Sequence, residues 1–346
     1  MSIVYDFKEN IKKDDLDGIS NIINSGGLVV FPTETVYGIG ADATNSNAVK
    51  KIFIAKGRPQ DNPLIVHISN LEMLDKYTCG INSIEKKLID NFWPGPLTII
   101  VKSKNNLSTY VTAGLDTVGV RMPDNDIALN IIEASKRPIA APSANISGKP
   151  SGTNLSDIFE ELNNKVDAFV DGGNTNIGIE STVVKVENGV VNILRPGKIS
   201  LEDIKNIGLN VKLDKHIFKD VKDGEKVESP GMKHRHYAPS TKAILVDFDS
   251  DKIMLDKIKE YKEKNDKNIG IICYKEHEEC LKSIGFKTIV MGEKNDLLEI
   301  SRNIFSLIRS IDKYKFDECL IEGVKKQYIG TAIMNRLIRA CGYNIL

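Results

Sequence analysis

Two short polar clusters, far apart in the chain, combine cationic or hydroxyl side chains with glycine and proline. The first is Lys56-Gly57-Arg58-Pro59, followed by Asn62-Pro63. The second is Pro142-Ser143-Ala144-Asn145, running on into Ser147-Gly148-Lys149-Pro150-Ser151-Gly152-Thr153. Ammonium, guanidinium and hydroxyl groups on short, rigid loops are the groups that hold phosphate. The familiar phosphate motifs do not account for them. No GxxxxGK[ST] occurs, which argues against a P-loop NTPase. Gly38-Ile39-Gly40-Ala41-Asp42-Ala43 imitates a dinucleotide fingerprint, but Pro32 and Thr33-Glu34-Thr35 precede it, and that fingerprint needs a direct strand-to-helix turn. Its small residues suit a loop that approaches a ligand or packs tightly.

Further polar groups fall at the ends of apolar strand-like runs: Thr35, His67, Arg121, Ser143, Asn145, Ser181 and Arg195. Hydroxyl, imidazole and guanidinium groups converging from several strand ends are the expected layout of a small-molecule site. Each has a plainer reading. Lys56 and Arg58 suit a helix C-terminus as solvated cations, and His67 suits a half-buried strand position. Arg121, after Val118-Gly119-Val120, requires a carboxylate or phosphate partner, which a structural ion pair would also supply. His234 and His236 form an HxH pair with no acidic or cysteine ligand nearby in sequence, a weak basis for zinc.

The elements that must carry these groups are legible in the pattern. Residues 28–31 read as a buried strand ended by Pro32, and residues 47–55 as a helix capped by Gly57. Residues 64–68, 97–101, 118–121, 138–141, 168–170, 182–186 and 190–194 read as strands. Strands outnumber helices, which predicts a mixed, twisted sheet with helices over residues 1–211. Residues 212–240 read as a linker, whose histidine-, arginine- and tyrosine-rich end suggests a lid over the site. From residue 241 to 346 strands at 243–248, 269–274, 288–291 and 318–321 alternate with helices at 252–264, 276–284, 297–311 and 328–340. That rhythm predicts a smaller, doubly wound parallel α/β domain, Rossmann-like in layout.

The length of 346 residues allows two such domains. Lys+Arg and Asp+Glu both number 47, so no global field points to nucleic acid or an anionic membrane. The apolar runs are far shorter than a membrane span. Five cysteines without a CxxC and without a signal-like start predict reduced thiols in a cytoplasmic protein.

Taken together, the ordered motifs carry a family resemblance. Residues 31–38 (FPTETVYG), Lys56-Gly57-Arg58-Pro59 with Asn62-Pro63-Leu64, and Trp93-Pro94-Gly95-Pro96-Leu97-Thr98 resemble the YrdC-like proteins. So do Gly119-Val120-Arg121-Met122-Pro123, Ala141-Pro142-Ser143-Ala144-Asn145, Glu180-Ser181-Thr182-Val183 and Leu194-Arg195-Pro196-Gly197. His236-Tyr237-Ala238-Pro239 and the α/β segment after it resemble the longer, two-domain form, the L-threonylcarbamoyladenylate synthases. The resemblance implies a nucleotidyltransferase that joins L-threonine, bicarbonate or CO2, and ATP into threonylcarbamoyl-adenylate and pyrophosphate. That product would serve N6-threonylcarbamoyladenosine formation at position 37 of tRNA.

The resemblance further implies threonine contacts at Thr35, His67, Arg121, Ala141 (through its backbone) and Ser181. Nucleotide contacts are implied at Lys56, Arg58, Asn62, Thr117, Ser143, Asn145, Ser151, Arg195 and Tyr237. Lys56 and Arg58 would carry the catalytic charge, with Mg2+ held mainly through the ATP phosphates and no protein metal site. Expected partners are the substrates, the downstream tRNA threonylcarbamoyl-transfer machinery, weakly held RNA, and no membrane. Two other readings stand beside this one. A double-stranded RNA- or tRNA-binding module without catalysis is disfavoured by the zero net charge. Carbamoyl transfer in hydrogenase maturation would call for acylphosphatase-like and zinc-finger segments that this chain lacks.

Overall fold

The structure is a computed structural model that describes residues 2–219, 237–248 and 250–346. The chain divides into two compact units. The first comprises Met1–Ser147 and Ser151–Lys233, and the second comprises Gly148–Pro150 and His234–Leu346.

The first unit is built on eleven strands: β1 (Ile3–Asp6), β2 (Val29–Phe31), β3 (Gly38–Asp42), β4 (Ile65–His67), β5 (Leu97–Lys102), β6 (Thr117–Arg121), β7 (Ile139–Ala140), β8 (Ala168–Asp171), β9 (Thr182–Glu187), β10 (Val190–Arg195) and β11 (Val211–Leu213). Their order is β1-β8-β2-β3-β7-β4-β6-β5-β9-β10-β11. Parallel neighbours such as β4/β6 and β5/β9 alternate with antiparallel ones such as β4/β7 and β5/β6. This is the mixed sheet that the strand-rich pattern predicts. Successive strand residues face opposite sides, and the core follows that alternation. Val30 and Ala140 join one apolar cluster, while Val29, Phe31 and Ile139 join another.

The helix that delivers the first polar cluster spans Ser46–Lys56. The Asn45 side chain accepts from the Asn47 and Ala48 amides, and Ala48, Val49, Ile52 and Phe53 are buried. It ends at Gly57, whose φ of 61° is the left-handed cap conformation that glycine adopts at little cost. β3 departs from expectation. The run beginning Gly38-Ile39-Gly40 forms a strand rather than a loop, because its glycines let the backbone pack closely. A Cβ on Gly40 would lie 2.5 Å from Phe31 Cε1 and 2.7 Å from Ile139 Cγ2. β1 is likewise unforeseen, and β11 runs into the segment read as linker.

The second unit holds four parallel strands, β12 (Lys242–Val246), β13 (Ile269–Tyr274), β14 (Lys287–Gly292) and β15 (Glu318–Glu322), in the order β12-β15-β13-β14. Met254 and Leu281, on the helices after β12 and β13, pack with Ile244, Val246, Ile271 and Leu320 on one face. The helices Leu297–Ile311 and Ile329–Ala340 pack on each other, and strand residues of opposite parity, such as Leu245 and Ile321, are fully buried. Helices on both faces of a parallel sheet make this the doubly wound unit that the alternation predicts. Residues 220–236, including His234, His236 and most of the expected lid, lie outside the described residues. Among the described residues no helix is long and apolar enough to cross a membrane.

Candidate active site

β4 and β6 run parallel, with His67 opposite Arg121. Both side chains are buried, and so is that of Thr35 on the turn after β2. The Arg121 guanidinium donates from Nη1 to Thr35 Oγ1 at 2.9 Å and from Nε to the Gly95 carbonyl at 3.2 Å. Its Nη2 lies 2.5 Å from Glu34 Oε2 as an ion pair with side chains only 4% and 5% exposed. Glu34 is therefore the counter-ion that this buried guanidinium requires. Thr33 donates its hydroxyl to the Val36 carbonyl and lies 2.8 Å from the Thr35 hydroxyl. With one proton per hydroxyl, Thr35 must donate to Thr33 while it accepts from Arg121.

His67 differs in kind. Its Nδ1 has no hydrogen-bond partner of good geometry. Burial first, and the charge of Arg121 next, push its pKa down to about 3. It is thus a neutral imidazole, still able to donate and accept a hydrogen bond, beside the guanidinium.

Ser181 stands at the entrance to β9. Its Oγ lies 2.8 Å from Thr98 Oγ1 on the neighbouring β5 and accepts from Arg195 Nη2 at 3.0 Å. Arg195, at the end of β10, also donates Nε to the Ser181 carbonyl at 3.0 Å. Ser151 donates to Glu180 Oε1 at 2.6 Å. Pro63, Leu64, Ile65, Thr98, Thr117 and Val183 line one cleft, so Thr117 and the segment after Asn62 share a wall with the Ser181 network. Ala141 donates its amide to the Ile65 carbonyl at 3.0 Å.

The two polar clusters that are distant in sequence meet in space. Lys56 is 1% exposed. Its ammonium donates to the Ser143 carbonyl, to the Asn145 carbonyl at 2.6 Å and toward Asn145 Oδ1 at 3.4 Å. Ser143 Oγ donates to Asn145 Oδ1 at 2.6 Å, and the Ser147 amide returns to the Lys56 carbonyl at 2.8 Å. The Ser143–Asn145 loop is thus wrapped around the end of the Lys56 helix. Arg58 donates to the Pro63 carbonyl at 3.2 Å, which ties the first cluster to the wall that bears Thr117.

Tyr237 belongs to the second unit. Its ring stacks on Phe305 with centroids 5.0 Å apart, and the Arg336 guanidinium lies 5.9 Å over it. Sequence reasoning gave no role to Glu34, Thr98 or Glu180. Glu34 and Glu180 lie inside quoted motifs, so a buried charge beside a candidate site residue was a usable signal. Thr98 also closes a quoted motif, but it stands at the start of an apolar strand.

A family model described as telomere recombination matches residues 21–197, and one described as the threonylcarbamoyl-AMP synthase C-terminal domain matches residues 199–342. The chain is 41% identical to a threonylcarbamoyl-AMP synthase of Pyrococcus abyssi, covering 100% of this chain and 99% of that one. It is 40% identical to a threonylcarbamoyl-AMP synthase of Bacillus subtilis, over 94% of this chain and 92% of that one. A crystal structure of P. abyssi Sua5 complexed with L-threonine matches with a TM-score of 0.90 at 41% identity, covering 100% of this chain and 99% of that one. With two family models matched in order and a relative 41% identical over the whole chain, the chain belongs to the two-domain Sua5 family of threonylcarbamoyl-AMP synthases.

Proposed function

We infer that the protein forms threonylcarbamoyl-adenylate and pyrophosphate from L-threonine, bicarbonate or CO2, and ATP. It is an adenylate-transferring enzyme of tRNA modification, and the observation that carries this reading is the 41% identity to a threonylcarbamoyl-AMP synthase over the whole chain. The threonine amine, once deprotonated, attacks CO2 to give a carbamate. A carbamate oxygen then attacks the α-phosphorus, and pyrophosphate leaves with the electron pair of the broken P–O bond. No enzyme nucleophile is required, so catalysis rests on positioning and on charge stabilisation.

Arg121, fixed by Gly95, Thr35 and Glu34, presents its remaining N–H groups to the threonine carboxylate. Thr35 and Ser181 orient the amino acid, the Ala141 backbone closes the pocket, and His67, as a neutral imidazole, contacts the threonine. On the nucleotide side, Arg58 and Arg195 supply charge at the phosphates, and Ser143, Asn145 and Ser151 supply hydrogen bonds. Asn62 and Thr117 border the nucleoside. Lys56 adds positive charge and holds the Ser143–Asn145 loop in place.

Guanidinium, ammonium, hydroxyl and amide groups suit a phosphate chain that brings its own cation. Among the described residues no group of three His, Cys, Asp or Glu side chains forms a metal cage. Mg2+ would be held mainly through the ATP phosphates, where it would neutralise charge on the departing pyrophosphate. The free cysteines, with Cys79 and Cys280 exposed, suit a reducing cytoplasm. From there the labile adenylate passes to a tRNA threonylcarbamoyl-transfer machinery, with RNA contacts at most weak.

Pyrophosphate release from Mg-ATP, measured with and without threonine and bicarbonate, tests this function. Dependence on both supports it. Tight RNA binding without threonine-dependent release would leave the binding-module reading instead.

A further inference from the structure

The second unit carries a cleft of its own, of about 400 Å3. Its place follows from topology. The helix after β12 and the helix after β13 pack on one face, while the helix after β15 packs with Leu297–Ile311. Since β15 lies between β12 and β13, the chain leaves neighbouring strands toward opposite faces. This opens a crevice at their carboxyl ends, where doubly wound sheets bind ligands. The cleft lies there, lined by Asp247 and Phe248 after β12, Tyr274 ending β13, and Gly323 to Gln327 after β15, with Lys294 and Asp251 at its side.

The lining is charged in both signs and already ordered. Lys326 Nζ lies 2.7 Å from Asp247 Oδ2, and Lys294 pairs with Asp251. Below them Glu322, fully buried, accepts from the Tyr274 amide at 2.9 Å and pairs with His277 Nδ1 at 3.0 Å. His277 Nε2 lies 3.7 Å from Asp251. The hydrogen bond to Glu322 raises the His277 pKa. Lys325 adds another ammonium at the lip, and Phe248, Met254 and Val324 supply an apolar wall. The adjoining helix Ile329–Ala340 starts without a side-chain cap, behind a Tyr328 with φ of 48°.

We propose that this crevice is a second ligand site that binds a mononucleotide. Its phosphate sits among Lys294, Lys325 and Lys326, its sugar hydroxyls donate to Asp247 and Asp251, and its base lies against Phe248 and Met254. The two ion pairs serve as a resting state. Phosphate draws the ammonium groups away, and the freed carboxylates accept from the hydroxyls, so neither charge is left unpaired. A purely anionic ligand would leave the two aspartates facing it. A cation would have to displace both lysines. A ligand with phosphate at one end and hydroxyls at the other satisfies both sets, and the volume falls in the usual range for small-molecule sites, roughly 300–1,000 Å3.

Photolabelling of the full chain with 8-azido-AMP, followed by peptide mapping, tests the proposal. Label is expected on peptides that contain Phe248, Tyr274 or Val324, competed by AMP and far less by inorganic phosphate. Lys294→Gln/Lys326→Gln should weaken AMP binding at this site about tenfold or more, the effect of losing one or two charge-assisted bonds. Threonine-dependent pyrophosphate release should stay unchanged. Asp247→Asn, a gentler change, should weaken AMP but not inorganic phosphate, with unfolding transitions checked for both variants. Label confined to the first unit would overturn the proposal, as would label in the second unit that both variants leave unaltered. Competition by inorganic phosphate equal to that by AMP would overturn the nucleotide assignment.

Discussion

Replacing Arg121 should produce two separable losses, one of stability and one of substrate binding. In Arg121→Met the Glu34 carboxylate stays buried, in a side chain 5% exposed, without its counter-ion. Removing one partner of a buried pair costs about 3–5 kcal/mol. At about 2–4 °C per kcal/mol for a unit of this size, the first unit should melt roughly 6–20 °C lower. Independently, a lost charge-assisted clamp on the threonine carboxylate, about 1.5–3 kcal/mol, should raise the threonine KM roughly 10- to 150-fold. The double variant Arg121→Met/Glu34→Gln separates the two effects, because it removes the orphaned charge as well. Its melting temperature should recover much of the loss while its threonine KM stays high. Calorimetry and initial rates at varied threonine read both quantities. A double variant whose KM recovers along with its stability would refute the clamp and reduce Arg121 to a structural role.

Other changes follow the same logic. Lys56→Ala leaves the Ser143 and Asn145 carbonyls without their ammonium partner and lowers charge at the phosphates, so kcat should drop about 100- to 1,000-fold in steady-state assays. Gly40→Ala places a methyl 2.5 Å from Phe31 Cε1, and urea unfolding should show a loss of about 1–3 kcal/mol from overpacking. The two buried histidines should respond to pH in opposite senses. His67 has its folded pKa at about 3 against 6.5 unperturbed. The unfolded chain therefore takes up the extra proton, and stability falls as the pH drops from about 6.5 toward 3. His277 has a raised folded pKa, so its contribution is complete below pH 6.5 and is lost as the pH rises through the raised value. Proton NMR should show the His67 ring silent between pH 5 and 8 and the His277 ring titrating above 6.5.

The elements set by local rules were legible in the sequence. The helix Leu297–Ile311 begins and ends where its apolar spacing predicts, and Gly57 caps its helix as its position implies. β3 was not legible, since two of its five residues are glycines that weaken a strand signal. Gly40 is there to let Phe31 and Ile139 close in, which only tertiary packing reveals. The candidate site residues stood out by type at strand ends. Their partners did not, because the bond from Arg121 to Thr35 spans 86 positions and that between Thr98 and Ser181 spans 83. Lys56 shows the same limit. Its type suggested phosphate, and its grip on the Ser143–Asn145 loop appears only in three dimensions.

The central claim is that this chain builds a threonylcarbamoyl-adenylate, and the product itself tests it most directly. Incubation with threonine, Mg-ATP and 13C-bicarbonate, quenched and analysed by mass spectrometry, should yield an adenylate carrying both threonine and the labelled carbon, in step with pyrophosphate. Pyrophosphate formed without that labelled adenylate, or an adenylate lacking the label, would contradict the account.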